Sequence, residues 1–369
     1  MYYRLPLFGV NVKGWLYFGY IGKRNQGIKC LLLLNAILTL VAGILLYIKT
    51  DDITNVIRDM FKTAILFNSL VRILFVIRNQ EDFVKFMEGI ESWYQEFKDD
   101  NDDMALEILN RLPKYTKFVT TFGLSFGSVG AVAAGITAVL WQTHIFPIYI
   151  PAVDAFESPL IEIINLWQSV TIVPFIMSAY ILFTNLFISW LMFGIGLLEI
   201  LCKKFEQMSS ANDAERLRNL KYLIRYHKRI IRYSQKLEDL VALISMVELI
   251  LFTVMLCFLF VFFLITDNFV DQVATFIYIF SIFYVLFISY WHTNAFSAES
   301  LKIPDAAYGI DWAESGPEAR KCLLILISRS QSALQICAGG IVPMTLETFQ
   351  ALLNATYSYF TMLRSLMAK

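Results

Sequence analysis

The sequence predicts an all-α, polytopic membrane protein with seven transmembrane helices. Of its 369 residues 57% are hydrophobic and only 17% are charged, whereas about 25% of a typical soluble domain is charged. The apolar residues fall into seven runs, each close to the roughly 20 residues that an α-helix needs to cross a bilayer. The predicted spans are 30–48, 60–77, 118–140, 166–193, 241–265, 273–291 and 341–363.

The positive charges predict how these spans are oriented. Twenty-five of the 31 Lys and Arg residues lie in the N-terminal segment and in every second loop after it, and only four lie in the alternate loops and at the C-terminus. Loops rich in Lys and Arg stay on the cytoplasmic side of the membrane. We therefore predict a cytoplasmic N-terminus and an extracellular C-terminus.

The second and third spans carry residues that need an explanation in a bilayer. Lys62 and Arg72 lie near opposite ends of the second span, so both long side chains are expected to reach the membrane surface. In the third span Gly123 and Gly127 form a GxxxG pair. That spacing is more typical of close helix packing than of ligand contact.

The loops differ on the two sides of the membrane. The extracellular segment 141–165 is apolar and rich in Pro, so we expect an ordered lid. On the cytoplasmic side, 197–241 is predicted to be helical with a break at 209–213, and 292–340 contains an amphipathic stretch. Apolar residues at helical spacing between basic ones predict elongated cytoplasmic helices that form an anchor layer against other helices or subunits.

The seventh span carries a polar stripe along its whole length. Its polar residues are spaced 3, 4, 4, 3 and 4 apart, which places them on one face of an α-helix: Glu347, Gln350, Asn354, Ser358, Thr361 and Ser365. Unsatisfied polar groups in hydrocarbon cost several kcal/mol each, so this face must meet water or other polar groups. Two interpretations stay open: a polar contact within one helix bundle, or a pore wall that only an oligomer can complete.

Enzymatic and metal-binding classes are disfavoured. The sequence contains no P-loop, GxSxG or HExxH motif, and His144, His227 and His292 fall on different sides of the predicted membrane. We therefore predict no catalytic residues, no metal ligands and no cofactor. Cys30, Cys202, Cys257, Cys322 and Cys337 lie where disulfides do not persist, so five free thiols are expected. G-protein-coupled receptors are excluded because they place the N-terminus outside the cell.

The C-terminal part of the chain strongly resembles insect odorant receptors. The resemblance lies in CAGGIVPMTLETF at 337–349 and TYSYFTMLR at 356–364, with Tyr308 and Trp312 of YGIDW similar to that family's last cytoplasmic loop. It implies a divergent, ligand-binding subunit and not the shared co-receptor. It further implies a tetramer with that co-receptor, which would be an odorant-gated, non-selective cation channel in the plasma membrane of a sensory neuron dendrite.

The resemblance also implies that the seventh span lines the pore. Aligning Ser358-Tyr359-Phe360 with the Thr-Tyr-Phe near the end of the co-receptor places Met362 at a hydrophobic gate and Ser365 at the position of a gate Gln. The predicted pore and gate residues are Glu347, Gln350, Asn354, Ser358, Thr361, Met362 and Ser365. Arg364 would bring a positive charge to a cation exit, so we expect it to point away from the lumen.

In the resembled family the odorant is bound in the outer half of the bundle. Candidates in the second to sixth spans are Phe67, Asn68 and Val71, with Ala64 on the same face; Ala134, Thr137 and Trp141; Thr171, Phe175 and Ser178; Phe258 and Phe262; Tyr278 and Ser281. The set is apolar with a few hydroxyls and contains no charged residue. We therefore expect a small, volatile, neutral ligand, apolar or aromatic.

The chain divides accordingly into four regions. These are a cytoplasmic N-terminal segment at 1–29, a six-helix ligand-binding bundle with cytoplasmic extensions at 30–291, a cytoplasmic anchor segment at 292–340, and the seventh helix with a short extracellular tail at 341–369. Two alternatives stay open. One is a gustatory-type receptor that forms a homomeric ligand-gated channel, although those receptors end in Gln-Phe where this chain has Leu363 and Arg364. The other is a metabotropic chemoreceptor.

Overall fold

The computed structural model describes residues 9–22, 25–50, 53–151, 153–208 and 213–367. They form helices with one short β-hairpin. The helices are α1 Gly9–Tyr17, α2 Gln26–Lys49, α3 Ile53–Arg78, α4 Gln80–Asp99, α5 Asp103–Leu140, α6 Leu160–Met177, α7 Phe183–Glu206, α8 Asp213–Ile265, α9 Phe269–Ser300, α10 Ile303–Tyr308, α11 Pro317–Ser330 and α12 Leu346–Met367. A π-helical turn, Ser178–Leu182, joins α6 to α7, and a 3₁₀ turn spans Trp312–Glu314.

Within the described residues, six helical stretches are long and apolar enough to cross a bilayer: Gln26–Lys49, Val56–Arg78, Asp103–Leu140, Leu160–Glu206, Asp213–Ile265 and Phe269–Tyr308. The seventh predicted span corresponds to α12, whose 22 residues are long enough but carry the polar stripe. The all-α membrane fold with six to seven apolar helices is therefore confirmed. The orientation of its termini stays a prediction.

Several helices extend well beyond their apolar parts. The 53 residues of α8 span about 80 Å at 1.5 Å per residue, against a hydrocarbon core of about 30 Å. Its N-terminal half packs on α4, where the Trp93 and Tyr226 rings are 5.1 Å apart. The predicted break at 209–213 falls mostly on residues 209–212, which lie outside the described part of the chain; α8 begins at Asp213.

Between α11 and α12 the chain forms a β-hairpin that the sequence did not predict. Strands β1 Cys337–Ala338 and β2 Val342–Pro343 pair across a turn in which Gly339 and Gly340 have φ values of 63° and 70°, a conformation that favours glycine. The Gly339 amide donates to the carbonyl of Ala242 in α8 at 2.8 Å. Residues 341–345, predicted as the start of the seventh span, therefore precede the helix.

The second span corrects one expectation. Arg72 does not reach the membrane surface: it is 1% exposed and forms an ion pair with Glu248 of α8 inside the bundle. Burial of an unpaired charge would be very costly, so the two charges stabilise each other there. Lys62, at the other end of the span, forms an ion pair with Asp59 at 2.9 Å.

The apolar segment between α5 and α6 is held to the bundle by side-chain amides. Gln168 of α6 donates to the carbonyl of Phe146 at 2.9 Å and accepts from the Phe146 amide at 2.8 Å. Asn165 bonds in the same way to Thr143 and Ile145. These bonds satisfy backbone groups that no helix can satisfy, and they order residues 143–146 over the end of the bundle.

Candidate ligand and pore sites

An apolar cavity of about 230 Å³ lies inside the bundle. It is near the end at which α2 joins α3, α5 joins α6 and α8 joins α9. Its lining comes from α3, α5, α6, the π-helical turn, α7, α8, α9 and the 143–146 segment. The lining residues are Phe61, Lys62, Ile65, Gly123, Phe126, Gly127, Gly130, Ala131, Ala134, Ile145, Phe146, Val173, Ile176, Met177, Tyr180, Ile181, Thr184, Asn185, Phe252, Tyr278, Ser281, Ile282, Tyr284, Val285 and Ile288.

Small residues of α5 create much of this space. Gly123, Gly127, Gly130, Ala131 and Ala134 all line the cavity. A Cβ at Gly127 would collide with Ile181, whereas a Cβ at Gly130 would meet no atom within 4 Å. The GxxxG pair thus has both roles that were weighed from the sequence: it packs against the π-helical turn and it forms a cavity wall.

A buried polar cluster adjoins the cavity. The Asn68 amide donates to the Tyr180 hydroxyl at 2.6 Å, and the Arg72 guanidinium lies 4.3 Å from the centre of the Tyr180 ring. Arg72 also donates to Thr184 Oγ1 at 3.5 Å and pairs with Glu248. Tyr180 and Thr184 line the cavity, so this cluster forms part of its wall.

A charged residue does reach the cavity, contrary to the expectation that none would. Lys62 lines it, but the Lys62 ammonium pairs with Asp59 and lies 3.5 Å from the carbonyl oxygen of His144. Its charge is therefore compensated by the protein. The cavity remains suited to a neutral ligand, because a charged one would need a partner that no lining residue offers unpaired.

A second, smaller cavity of about 30 Å³ adjoins the first. Lys62 and Tyr278 line both cavities, and the Tyr278 ring lies 4.0 Å from that of Phe61. Thr137, Trp141 and Phe262 line only the smaller one. Tyr278 therefore stands on the boundary between the two cavities.

The structure distributes the predicted ligand residues over several places. Ala134, Tyr278 and Ser281 line the main cavity, and Thr137, Trp141, Phe262 and Tyr278 line the smaller one. The others line neither of these cavities. Asn68, Thr171, Phe175 and Ser178 are buried in contacts between helices, Val71 is half-buried, and Phe67 and Phe258 are exposed on the outside of the chain.

Two of these buried residues bond to side chains that are distant in the sequence. Ser178 shares a hydrogen bond of 2.9 Å with the Tyr20 hydroxyl, and Asn68 bonds to Tyr180. Asn68 acts on the cavity through Tyr180, which it orients. The helical spacing of the sequence identified the correct helices but not the face of each helix that borders the cavity.

The residues that sequence analysis missed include Tyr180, Thr184 and Asn185. The signal for Asn185 is present in the sequence, because it is an amide in the middle of the fourth predicted span, and polar residues at such depth mark functional positions. Glu248 carries the same signal in the fifth span. The π-helical turn carries no comparable signal, although such turns are frequent at functional sites.

The N-terminal end of α12 is bonded to its neighbours. Thr293 of α9 donates to the carbonyl of Met344 at 2.6 Å, and the Leu346 amide donates to the side chain of Asn294 at 3.4 Å. Further along, the Phe349 ring lies 6.0 Å from Tyr290 and 5.8 Å from Phe287. The helix therefore packs on α9 through its apolar face.

The polar stripe of α12 faces away from the chain. Glu347, Gln350, Asn354, Ser358, Thr361, Met362 and Ser365 are all exposed, whereas Phe349, Leu352 and Thr356 on the other face are buried. Ser358, Thr361 and Ser365 donate to carbonyls of their own helix. The stripe thus makes no polar contact inside this bundle, which disfavours the first of its two interpretations. The side chain of Arg364 lies outside what the structure describes.

No group of three or more His, Cys, Asp or Glu side chains that could hold a metal ion occurs within the described ranges. All five cysteines are described, and all are free in the structure.

Comparison with known proteins identifies similar odorant receptors in insects. The sequence profile described as 7tm Odorant receptor matches residues 52–357. The chain is 31% identical to Odorant receptor 10 of Aedes albopictus over 365 residues, which covers 97% of both proteins. It is 30% identical to Odorant receptor Or2 of Anopheles gambiae over 374 residues, again covering 97% of both.

The fold also matches a solved structure. The insect olfactory receptor OR5 from Machilis hrabei, in complex with eugenol, superposes with a TM-score of 0.78 over 94% of this chain and 92% of that chain. The sequence identity is 17%, so this match concerns the fold alone.

Proposed function

The chain belongs to the insect odorant receptor family, and we propose that it is a subunit that binds a small volatile molecule in the main cavity and thereby opens a cation channel. The observation that carries this proposal is the cavity itself. At about 230 Å³ it is smaller than the roughly 300–1,000 Å³ of pockets for drug-sized ligands, and its walls are almost entirely apolar. A small, neutral organic molecule fits such a space.

The proposed conduction path is the exposed face of α12. A helix with Glu347, Gln350 and Asn354 exposed on one face is unsuited to contact with lipid, because their polar groups would be left unsatisfied. Surrounding that face with the same helix from other subunits would line a polar channel, and carboxylates at its wall would favour cations. We propose a tetramer with the shared odorant co-receptor, in the plasma membrane.

Membership of a receptor family supports the proposal that this protein has no enzymatic activity. Its proposed partners are the co-receptor, the ligand and the bilayer. The test is electrical. We expect cells that express this chain with an insect odorant co-receptor to give inward cation currents in response to an odorant panel, and cells that express this chain alone to give none.

Three outcomes separate the alternatives. Odorant-evoked current from this chain alone would favour a homomeric channel of the gustatory type. Current that disappears in excised patches without GTP would favour a metabotropic receptor. The proposal is supported if the current requires the co-receptor and persists in excised patches without GTP.

A further inference from the structure

We infer that the side-chain amide of Asn185 orients the ligand in the main cavity, and that the ligand is a neutral molecule with one hydrogen-bonding heteroatom on an otherwise apolar frame. This inference rests on the proposed ligand site and specifies its chemistry. It assigns a specific polar contact to a cavity whose wall is mostly apolar.

The first step of the argument is the state of the Asn185 amide. Asn185 lies at the start of α7, lines the cavity and is 4% exposed. Its Nδ2 has no hydrogen-bond partner within the protein. A buried N–H group without a partner is costly, and the great majority of such groups are satisfied in native proteins. An atom of a bound ligand would supply the missing partner.

The second step is that four other polar side chains of the cavity wall each have a hydrogen-bond or ion-pair partner. Tyr180 accepts from Asn68, and Thr184 accepts from Arg72. Ser281 donates to the carbonyl of Ile277 at 2.7 Å, and Lys62 pairs with Asp59. Among the described side chains that line the cavity, Asn185 has the only buried nitrogen or oxygen atom without a partner.

The third step is the space beside the amide. Gly123 of α5 lies opposite, and a Cβ placed on it would be 3.6 Å from Asn185 Nδ2, 3.7 Å from Oδ1 and 3.4 Å from Ile181 Cγ2. A side chain at Gly123 would therefore occupy the space beside the amide, which the glycine leaves unfilled. The rest of the wall is mainly apolar or aromatic, so it can hold the frame of the ligand while the amide holds its heteroatom.

The ligand class follows from the chemistry of an amide. Rotation by 180° exchanges its nitrogen and oxygen, so it can donate to an ether, ester or carbonyl oxygen, or accept from a hydroxyl or N–H group. A hydrocarbon of the same shape fills the cavity but leaves the amide unpaired. The receptor should therefore discriminate between such molecules, because a site with an unpaired polar group rejects the analogue that lacks the matching atom.

The experiment compares ligands that differ only in the heteroatom. Currents are recorded from this chain with the co-receptor, and the half-maximal concentrations of 4-methylphenol and 1,4-xylene, and of acetophenone and α-methylstyrene, are compared. We expect the oxygen-containing member of at least one pair to be about tenfold more potent, a difference of about 1.4 kcal/mol. Acetophenone only accepts hydrogen bonds, so the pair with the larger difference shows which amide atom is used.

Two variants test the amide itself. Asn185→Leu keeps the size of the side chain and removes the hydrogen bond, so the two members of each pair should become equally potent while the hydrocarbon keeps its potency. Gly123→Ala adds a methyl group at ordinary contact distance from the amide, and it should reduce the discrimination without any change to Asn185. Surface labelling confirms that each variant reaches the membrane. If Asn185→Leu does not reach it, the result for Gly123→Ala alone decides the test.

The outcomes separate this inference from the function on which it rests. If none of the four compounds evokes current from wild-type complexes at the cell surface, both the proposed site and the inference fail. If the compounds evoke current but wild type does not discriminate within either pair, only the inference fails. The inference also fails if Asn185→Leu discriminates within the pairs as well as wild type does. If Asn185→Leu is absent from the cell surface, the same criterion applies to Gly123→Ala.

Discussion

Arg72 of α3 and Glu248 of α8 form an ion pair in the interior of the helix bundle, next to the apolar cavity. The guanidinium also lies over the rings of Tyr180 and Phe183, at 4.3 and 5.1 Å from their centres. The pair connects two helices that are distant in sequence, and through Tyr180 it supports the wall of the cavity. The pair thus joins α3 to α8 in the interior of the bundle.

Removal of one partner should therefore be far more harmful than removal of both. We expect Arg72→Met to destabilise the protein by about 3–5 kcal/mol, because Glu248 would remain as an uncompensated buried charge. The double variant with Glu248→Met should recover most of this loss. Thermal unfolding of the detergent-solubilised protein measures the effect. As a control, Arg111→Met removes an exposed pair with Glu107, so a comparable loss there would contradict the prediction.

The cavity volume can be tested with two glycines of the same helix. A Cβ at Gly130 or Gly135 meets no atom within 4 Å, but only Gly130 lines the cavity. We expect Gly130→Val to raise the half-maximal concentration of the larger active odorants about tenfold, which corresponds to about 1.4 kcal/mol, because valine occupies part of the ligand space. Gly135→Val should leave potency unchanged. Equal effects of both variants would place the ligand elsewhere.

The polar face of α12 is predicted to line the channel. Cysteines are introduced one at a time along 345–366, and a water-soluble thiol reagent is applied during odorant exposure. The reagent should react with cysteines on the polar face and change the current, at the positions of Glu347, Gln350, Asn354, Ser358, Thr361 and Ser365. All six side chains of this face are exposed, so the reagent can reach them. Modification of the Leu353, Tyr357 and Phe360 face instead, of which Leu353 and Phe360 are half-buried and Tyr357 is exposed, would refute the assignment.

Two single substitutions sharpen this prediction. Met362→Ser should raise the basal leak, because an apolar constriction can close by dewetting and a hydroxyl would hold water there. Glu347→Gln should change block or permeation by divalent cations and leave odorant potency unchanged. Currents without odorant, and with graded external Ca²⁺, are the measurements. An unchanged leak in Met362→Ser would remove the proposed gate from this position.

The extension of α8 beyond its apolar half should contribute a small, pH-dependent part of the stability. Arg229 donates to both oxygens of Glu96 at 2.8 Å and stacks on Trp93 at 3.9 Å, and this hydrogen bonding lowers the pKa of Glu96. A lowered pKa in the folded state means that the contribution is present above the usual pKa and is lost as the pH falls through the folded value.

We therefore expect Glu96→Gln to lower the free energy of unfolding at pH 7 by less than about 1 kcal/mol, since both side chains are partly exposed. The difference between wild type and variant should shrink once the pH falls below the usual Glu pKa of about 4.3. Thermal unfolding in detergent between about pH 3 and 7 tests this. A difference that grows as the pH falls would have the wrong sign.

The orientation of the chain is a separate prediction. Tags at residue 1 should be cytosolic and tags after Lys369 extracellular, because 25 of the 31 Lys and Arg residues lie on the predicted inner side. Antibody labelling of intact and permeabilised cells distinguishes the two sides. An N-terminal tag that is accessible on intact cells would overturn the assignment of every loop.

Much of this architecture follows from the sequence, because the length and composition of a membrane span are set by the bilayer. The end of the seventh span is less predictable: Ile341 and Val342 are apolar and extend the run, yet a pair of glycines with positive φ makes them part of a hairpin. Local hydropathy contains no information on this pairing, which depends on contacts with α8.

The cavity is predictable only in part for a similar reason. Ala134, Tyr278 and Ser281 were identified because their helices border it, whereas Phe175 has the same character but is fully buried between helices. The rotation of α6 and α7 depends on the π-helical turn at Ser178–Leu182, which brings Tyr180, Ile181, Thr184 and Asn185 to the cavity. A periodic pattern of 3.6 residues cannot anticipate such an irregularity.

The hairpin before α12 anchors the N-terminal end of that helix. Its turn is bonded to Ala242 of α8, and the residue that follows it, Met344, is bonded to Thr293 of α9, so the N-terminal end of α12 has two fixed points. Met362 lies about 25 Å further along the helix at 1.5 Å per residue. At that distance a tilt of a few degrees about the hairpin corresponds to a displacement of about one or two ångströms at Met362.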